Sequence, residues 1–142
     1  MISAVIDTNV LASGTVTSAT PTGQILDAWR AGQFELVTSA HIIEELTRTF
    51  QKTYFRNRLS NKATANFIDL LQNEAFVTPI IVKVQGVATH PEDDLTIATA
   101  LSAKADYLVT GDQPLLRKVG NSYRGITLAN PNDFLKILQK IS

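Results

Sequence analysis

Short apolar runs alternate along the chain with longer segments in which apolar residues recur at helical spacing. The runs predict buried strands at Ile2–Ile6, Phe34–Thr38, Tyr107–Thr110 and Ile126–Ala129. A further run, Phe76–Val84, contains Pro79 and predicts an edge or irregular strand. Helical spacing predicts helices over Gly23–Ala31, Ala40 to about Gln51, about Asn61 to Glu74, Pro91–Lys104 and a last segment capped by Asn130.

Strands that alternate with helices in this way are typical of βαβ units. The pattern therefore predicts an α/β protein with three α/β/α layers and a central, mainly parallel sheet. No repeat, low-complexity tract or long linker interrupts it, so we expect one domain over residues 1–142. In such sheets, ligands bind beyond the carboxyl ends of the strands.

Composition narrows the function classes. The 142 residues carry a formal net charge of zero, so any site for a polyanion must be local. The chain has no cysteine, which excludes disulfides, thiolate metal sites and a cysteine nucleophile. No apolar run approaches the roughly 18 residues that span a bilayer, and no signal peptide is recognisable. We therefore expect a soluble, cytoplasmic protein without a membrane partner.

Acidic residues lie at the predicted carboxyl edge of the sheet. Asp7 ends the first strand, and Asp112 follows the strand YLVT. Asp93 and Asp94 open a helix in HPEDDLTIATAL, and Glu45 borders the apolar face of the helix in SAHIIEELTRTF. Each alone is also explained as a helix cap or a solvated side chain, and for Asp93, Asp94 and Glu45 taken singly that explanation is the better one. Together they place up to four carboxylates at one edge.

Packed carboxylates destabilise a fold unless a cation neutralises them or some of them take up protons. A ligand set made only of oxygen favours a hard divalent ion, Mg²⁺ or Mn²⁺. Such a site suits the attack of water on a phosphodiester. The residues thus point to a metal-dependent phosphodiesterase.

Four motifs in this order resemble the PIN domain: DTNV after the first strand, S-x₅-E-L on a helix, PEDD at a helix start, and ADYLVTGD. The similarity runs from Asp7 to about Leu116 and is greatest to the VapC-like toxins of type II toxin–antitoxin systems. It implies a PIN-like fold and a Mg²⁺- or Mn²⁺-dependent endoribonuclease that cleaves RNA. It also implies a cognate antitoxin and a homodimer or higher homo-oligomer.

The resemblance carries residue roles onto this sequence. Asp7 matches the first family acid, and Asn9 matches the polar residue that supports it. Glu45 matches the helix glutamate better than Glu44 does. Asp112 matches the fourth acid, and Thr110 matches the hydroxyl residue of the same turn.

The third acid has two candidates. Counting back from Ala100–Leu101 gives Asp93, whereas counting from Ile97–Ala98 gives Asp94. Asp93 keeps the register through ADYLVTGD without a gap, so it is the preferred ligand and Asp94 a supporting residue. The catalytic and metal-binding set implied by the resemblance is then Asp7, Glu45, Asp93 and Asp112. His90 stands where the family often has an aspartate.

A basic segment lies between Leu46 and Ile68, where five cations and two adjacent aromatic residues, Tyr54 and Phe55, occur without any acid. This composition favours a phosphate track for RNA with base stacking. A solvated helix face with inward aromatic side chains explains it equally well. The candidate RNA contacts are Arg48, Lys52, Arg56 and Arg58, with Arg117 and Lys118 beyond the last acid.

Other functions remain open at this point. A catalytically weak PIN-fold module would bind RNA without cleaving it. A haloacid-dehalogenase-type phosphatase would need D-x-D, but Asn9 occupies its third position. A receiver-like switch would need paired acids near the first strand and a lysine after a late strand, and neither is evident.

Overall fold

A six-stranded sheet forms the centre of the computed structural model, which describes residues 1–141. Its strands are β1 (Ser3–Ile6), β2 (Glu35–Thr38), β3 (Phe76–Val77), β4 (Tyr107–Val109), β5 (Ser122–Tyr123) and β6 (Ile126–Ala129). The strand order is β3-β2-β1-β4-β6-β5, and all neighbours run parallel except β5 and β6. The predicted α/β class with a mainly parallel sheet is therefore confirmed.

Helices flank this sheet and connect its strands. They are α1 (Thr8–Val16), α2 (Pro21–Arg30), α3 (Ala40–Phe50), α4 (Thr53–Arg56), α5 (Asn61–Glu74), α6 (Pro91–Ala103), α7 (Gln113–Val119) and α8 (Pro131–Ile141). The central strand β1 buries Ala4, Val5 and Ile6 completely. Near-continuous burial of this kind is what a parallel strand covered on both faces requires. Within residues 1–141, no helix has the length and apolar character needed to cross a bilayer.

The strand predictions hold with small changes of boundary, except at Phe76–Val84. Only Phe76–Val77 pairs there, as an edge strand beside β2. A proline lacks the N–H that a ladder needs, and Pro79 follows this strand closely. Two predicted helix caps are present: Ser39 Oγ accepts from the Ile42 N–H at 3.4 Å, and Asn130 Oδ1 accepts from the Asp133 N–H at 2.8 Å.

Four short elements were not predicted from the sequence: α1, α4, α7 and β5. Helix α1 is the largest omission, and its sequence TNVLASGTV explains why. The segment contains β-branched residues and Gly14, which are poor helix formers, and it lacks a clear polar face. Gly14 is needed because α2 packs closely: a Cβ there would lie 2.6 Å from the Thr22 carbonyl oxygen. Tertiary packing thus overrides weak local propensity.

Two features of the fold bring distant residues to one edge of the sheet. The register pairs Ile6 of β1 with Val109 of β4, so the residues that follow these strands are neighbours. Helices α3 and α6 are joined by a buried 2.9 Å hydrogen bond between the hydroxyls of Ser39 and Thr99. The ends of β1 and β4, the start of α3 and the second half of α6 therefore share one framework.

Candidate active site

A cleft of about 320 Å³ opens at the carboxyl edge of the sheet. We call it the acidic cleft. The residues that line it are Asp7, Thr8, Asn9, Glu45, Arg48, Thr49, Lys52, His90, Glu92, Asp93 and Asp112. The structure thus brings all four sequence-predicted carboxylates together, from the end of β1, from α3, from the first turn of α6 and from the cap of α7.

Asp7 is the most deeply held of the four acids, with 7% of the residue exposed. Its carboxylate accepts hydrogen bonds from the Thr8 N–H and the Thr110 hydroxyl, each at 2.8 Å. Burial raises the pKa of Asp7, and the charges of Asp93 and Asp112 add to this, whereas the two hydrogen bonds oppose it. A neutralising cation would remove this conflict.

Glu45 faces the cleft from α3 and accepts a hydrogen bond from the Thr8 hydroxyl. Burial is the main cause that raises its pKa, and contact with the Glu92 carboxyl raises it further; His41 acts in the opposite direction. Glu44, the alternative in the sequence, is exposed and does not line the cleft. The structure therefore separates the two neighbouring glutamates by environment.

Asp93 lines the cleft from the first turn of α6. Burial is the main cause that raises the pKa of Asp93. The nearby charges of Asp112 and Glu45 raise it further, whereas His90 at the rim lowers it. Asp112 caps α7 by accepting from the Leu115 N–H at 3.1 Å. Capping leaves Asp112 with a second carboxylate oxygen for the cleft.

Asp94 occupies a different environment, although it adjoins Asp93. It is 6% exposed and does not line the cleft. Its carboxylate accepts the backbone N–H groups of Gly86, Val87 and Ala88 at 3.0, 3.2 and 2.7 Å. Asp94 supports the cleft indirectly, because it ties the segment before α6 to the helix that carries Asp93.

The two remaining supporting residues, Thr110 and Asn9, differ in burial. Thr110 is fully buried, and its hydroxyl both donates to Asp7 and accepts from the Asp112 N–H at 3.1 Å. Asn9 is exposed and lines the cleft beside Asp7.

Sequence reasoning overlooked three residues of the cleft, Thr8, Thr49 and Glu92. Thr8 bridges Asp7 and Glu45 through its N–H and its hydroxyl. Glu92 forms an ion pair with Arg48 at 3.8 Å. The signal for Glu92 was its position next to Asp93. The signal for Thr8 was the DTN motif, but its role could not be seen because the helix α1, which begins at Thr8, was not predicted.

The candidate RNA contacts do not share one location. Arg48 and Lys52 line the cleft, while Arg56 and Arg58 follow on α4 and the turn after it. Arg117 and Lys118 lie in the last turn of α7, where cations favour the helix dipole, and they are not among the described residues that line the cleft. Of the six candidates, the two that line the cleft, Arg48 and Lys52, both belong to the basic segment.

The donor set suits a hard cation that keeps part of its hydration. Within residues 1–141, no three acidic or histidine side chains are grouped closely enough to form a ready-made cage. Mg²⁺ does not require one, because it binds through one or two carboxylates and retains several waters. Oxygen-only ligands and three carboxyl groups with raised pKa values fit such an ion.

These features define the class of protein to which the chain belongs: an α/β/α protein with an acidic cleft at the carboxyl edge of its sheet. Within this class the chain belongs to the PIN domain family, whose family model matches residues 3–114. This confirms the resemblance drawn from the motifs. PIN domains are in general nucleases, and the chain takes that general assignment.

Solved structures agree on the fold. The chain is similar to a crystal structure of VapBC2 from Rickettsia felis bound to a DNA fragment from their promoter, with a TM-score of 0.61, 14% identity and coverage of 91% of this chain and 98% of that one. It is also similar to PAE2754 from Pyrobaculum aerophilum, with a TM-score of 0.61, 19% identity and coverage of 98% and 90%. The search of curated proteins gave no significant match.

Proposed function

We propose that this protein is a Mg²⁺- or Mn²⁺-dependent endoribonuclease that hydrolyses RNA phosphodiester bonds. The observation that carries the proposal is the convergence of Asp7, Glu45, Asp93 and Asp112 on one cleft from four separate elements. These four residues would hold the ion. The raised pKa values of three of them indicate a surplus of negative charge that a divalent cation would offset.

When bound, the ion would polarise the phosphoryl oxygen and lower the pKa of the attacking water. The protein supplies the rest. Thr110 and Thr8 fix the Asp7 carboxylate, and α7 fixes Asp112. Lys52 at the cleft wall is placed to hold a phosphate of the substrate. Glu45, where it holds the ion through a bound water and not directly, would be placed to accept the proton of the attacking water.

We further propose that the protein is the toxin of a type II toxin–antitoxin pair, acts in the cytoplasm and assembles with a cognate antitoxin and a second copy of itself. The match to the PIN domain family and the similarity to VapBC2 support this. A small upstream reading frame that encodes a DNA-binding, partly disordered protein would add support. Co-purification of the two products from their native operon tests it, and their failure to associate would argue against the pairing.

The decisive experiment for the enzyme is RNA cleavage by purified wild type with Mg²⁺, with EDTA, and by Asp7→Asn and Asp112→Asn. We expect cleavage that EDTA stops and that both variants lack. Asp69→Asn is the matched control, because Asp69 is an exposed acid on α5 outside the acidic cleft. Full activity in Asp7→Asn and Asp112→Asn would overturn the site.

Two other outcomes would redirect the assignment. RNA binding without cleavage under any divalent ion would favour a PIN-fold binding module. Turnover of a small phosphomonoester would revive the phosphatase alternative, against which both the family match and Asn9 stand.

A further inference from the structure

The basic segment carries a fixed pair of planar side chains, Tyr54 and Arg58, which follow the cleft-lining Lys52 in the chain. Arg58 lies over the ring of Tyr54, with its guanidinium carbon 3.7 Å from the ring centroid. The same guanidinium donates through Nη1 to the Tyr54 carbonyl oxygen at 2.8 Å. Two contacts therefore hold a side chain that would otherwise move freely on the surface.

The Tyr54–Arg58 pair packs against the core through Phe55 and is otherwise exposed to solvent. Phe55 packs edge-on against the Tyr54 ring at 4.9 Å and against Phe50 of the core at 6.1 Å. Tyr54 nevertheless remains 54% exposed, and Arg58 is exposed as well. Of the two adjacent aromatic residues, one thus packs inward and the other faces solvent. The interpretation of this segment as a plain solvated face accounts for Phe55 but not for Tyr54.

A continuous run of backbone connects this pair to the cleft. Lys52 lines the cleft, and its carbonyl accepts the N–H groups of Phe55 and Arg56 in the turn that forms α4. At a helical rise of about 1.5 Å per residue, the six steps from Lys52 to Arg58 span roughly 9 Å. The pair therefore lies within a few nucleotides of any phosphate held in the cleft.

Charge along this run also points to a polyanion. Within residues 1–141, Arg48 pairs with Glu92, but Lys52, Arg56, Arg58 and Lys62 form no ion pair. Uncompensated cations repel one another in the free protein and gain when a phosphate backbone binds. A Tyr–Arg pair serving only to stabilise a four-residue helix would not require this surrounding charge.

We infer that Tyr54 and Arg58 form a nucleobase-stacking subsite, which holds an unpaired RNA base beside the nucleotide whose phosphate enters the acidic cleft. Aromatic rings and guanidinium planes both stack on bases, and only an unpaired base presents its face. Because the pair is already fixed, stacking requires little further ordering. The subsite rests on the proposed ribonuclease function and adds the requirement for a splayed base near the cut.

The test is RNA binding in an Asp7→Asn background with Mg²⁺, using one short strand alone and annealed to its complement. We expect Tyr54→Ala to weaken single-strand affinity by roughly 5- to 150-fold, the range for one lost base stack, with little change for the duplex. Tyr54→Phe should keep the affinity. Arg58→Lys, which keeps the charge but loses the plane, should weaken single-strand binding selectively. A 2-aminopurine base in the strand should be quenched on binding only when residue 54 is aromatic.

Phe76→Ala is the matched control, since Phe76 is an exposed aromatic residue on the edge strand β3. Equal losses for both RNA forms, or no loss for either, would overturn the subsite, and the second result would leave this surface to a protein partner. Because binding needs no turnover, the two proposals fail separately. Selective loss without wild-type cleavage supports the subsite alone, and cleavage without any effect at Tyr54 supports the nuclease alone.

Discussion

The Thr110 hydroxyl donates a 2.8 Å hydrogen bond to the Asp7 carboxylate, although the two residues are 103 positions apart in the chain. The same hydroxyl oxygen accepts the Asp112 N–H at 3.1 Å. One buried side chain therefore orients two of the four candidate ligands. Such a residue acts through its partners, so we regard Thr110 as a positioning residue.

Thr110→Val should raise the Mg²⁺ concentration needed for half-maximal cleavage about tenfold, because residues that orient metal ligands typically contribute 10- to 100-fold to affinity or activity. Thr110→Ser, which retains the hydroxyl, should restore most of the affinity. Titration of the cleavage rate with Mg²⁺ measures the effect, and circular dichroism checks the fold. An unchanged Mg²⁺ requirement in Thr110→Val would show that the bond does not position Asp7.

The neighbours Asp93 and Asp94 should give opposite phenotypes. Asp93→Asn removes a cleft carboxylate and should abolish cleavage without lowering the melting temperature. Asp94→Ala leaves the Ala88 N–H buried without an acceptor and frees two further amides, so it should lower the free energy of unfolding by about 1–3 kcal/mol.

Denaturant titration measures the Asp94 effect, and amide hydrogen exchange at residues 86–88 should accelerate in Asp94→Ala but not in Asp93→Asn. The reverse pattern, with stability lost at Asp93 and activity lost only at Asp94, would exchange their roles.

The stability of the ion-free protein should fall as the pH rises from about 4 to neutrality. Burial raises the pKa of Asp7 above its ordinary value of 3.8, so the folded state holds this proton more tightly than the unfolded state does. The stabilising contribution is full below the unfolded pKa and is lost as the pH rises through the folded pKa. Asp7→Asn cannot ionise, so its melting temperature should exceed that of wild type by a few degrees at neutral pH and match it near pH 4.

Thermal melts across this pH range in EDTA provide the measurement, with Asp69→Asn as the exposed control. A wild type and an Asp7→Asn variant whose melting temperatures stay parallel at every pH would contradict the burial effect.

Divalent ions should stabilise the wild type by mass action. Mg²⁺ at 100 times its dissociation constant would add about 2.7 kcal/mol if it binds only the folded state. The melting temperature should therefore rise with Mg²⁺ in wild type and much less in an Asp7→Asn, Asp112→Asn double variant. NaCl at matched ionic strength is the salt control, and equal shifts with NaCl would exclude a specific site.

The main strands and the acidic residues at their ends were predictable because they depend on local sequence. Asp7 and Asp112 each follow a short apolar run, and a parallel sheet places such residues at one edge. The choice between Glu44 and Glu45 also followed from helical periodicity, since only Glu45 borders the buried face of α3.

Features that depend on tertiary contacts were harder to predict. Helix α1 has weak propensity and is stabilised by packing on α2, so neither it nor the bridging role of Thr8 was evident. Asp94 differs from Asp93 because its carboxylate accepts backbone N–H groups of residues 86–88, which lie six to eight positions earlier in the chain. These groups reach Asp94 only when the 86–88 segment folds back on α6. No periodicity encodes that loop.

The pairing of β1 with β4 has a consequence for synthesis. Thr110 and Asp112 are synthesised about a hundred residues after Asp7, and the bond between Thr110 and Asp7 requires both strands. A nascent or truncated chain that ends before β4 lacks one wall of the cleft and the hydroxyl that orients Asp7. Assembly of the cleft is thus a non-local event that waits for the synthesis of β4.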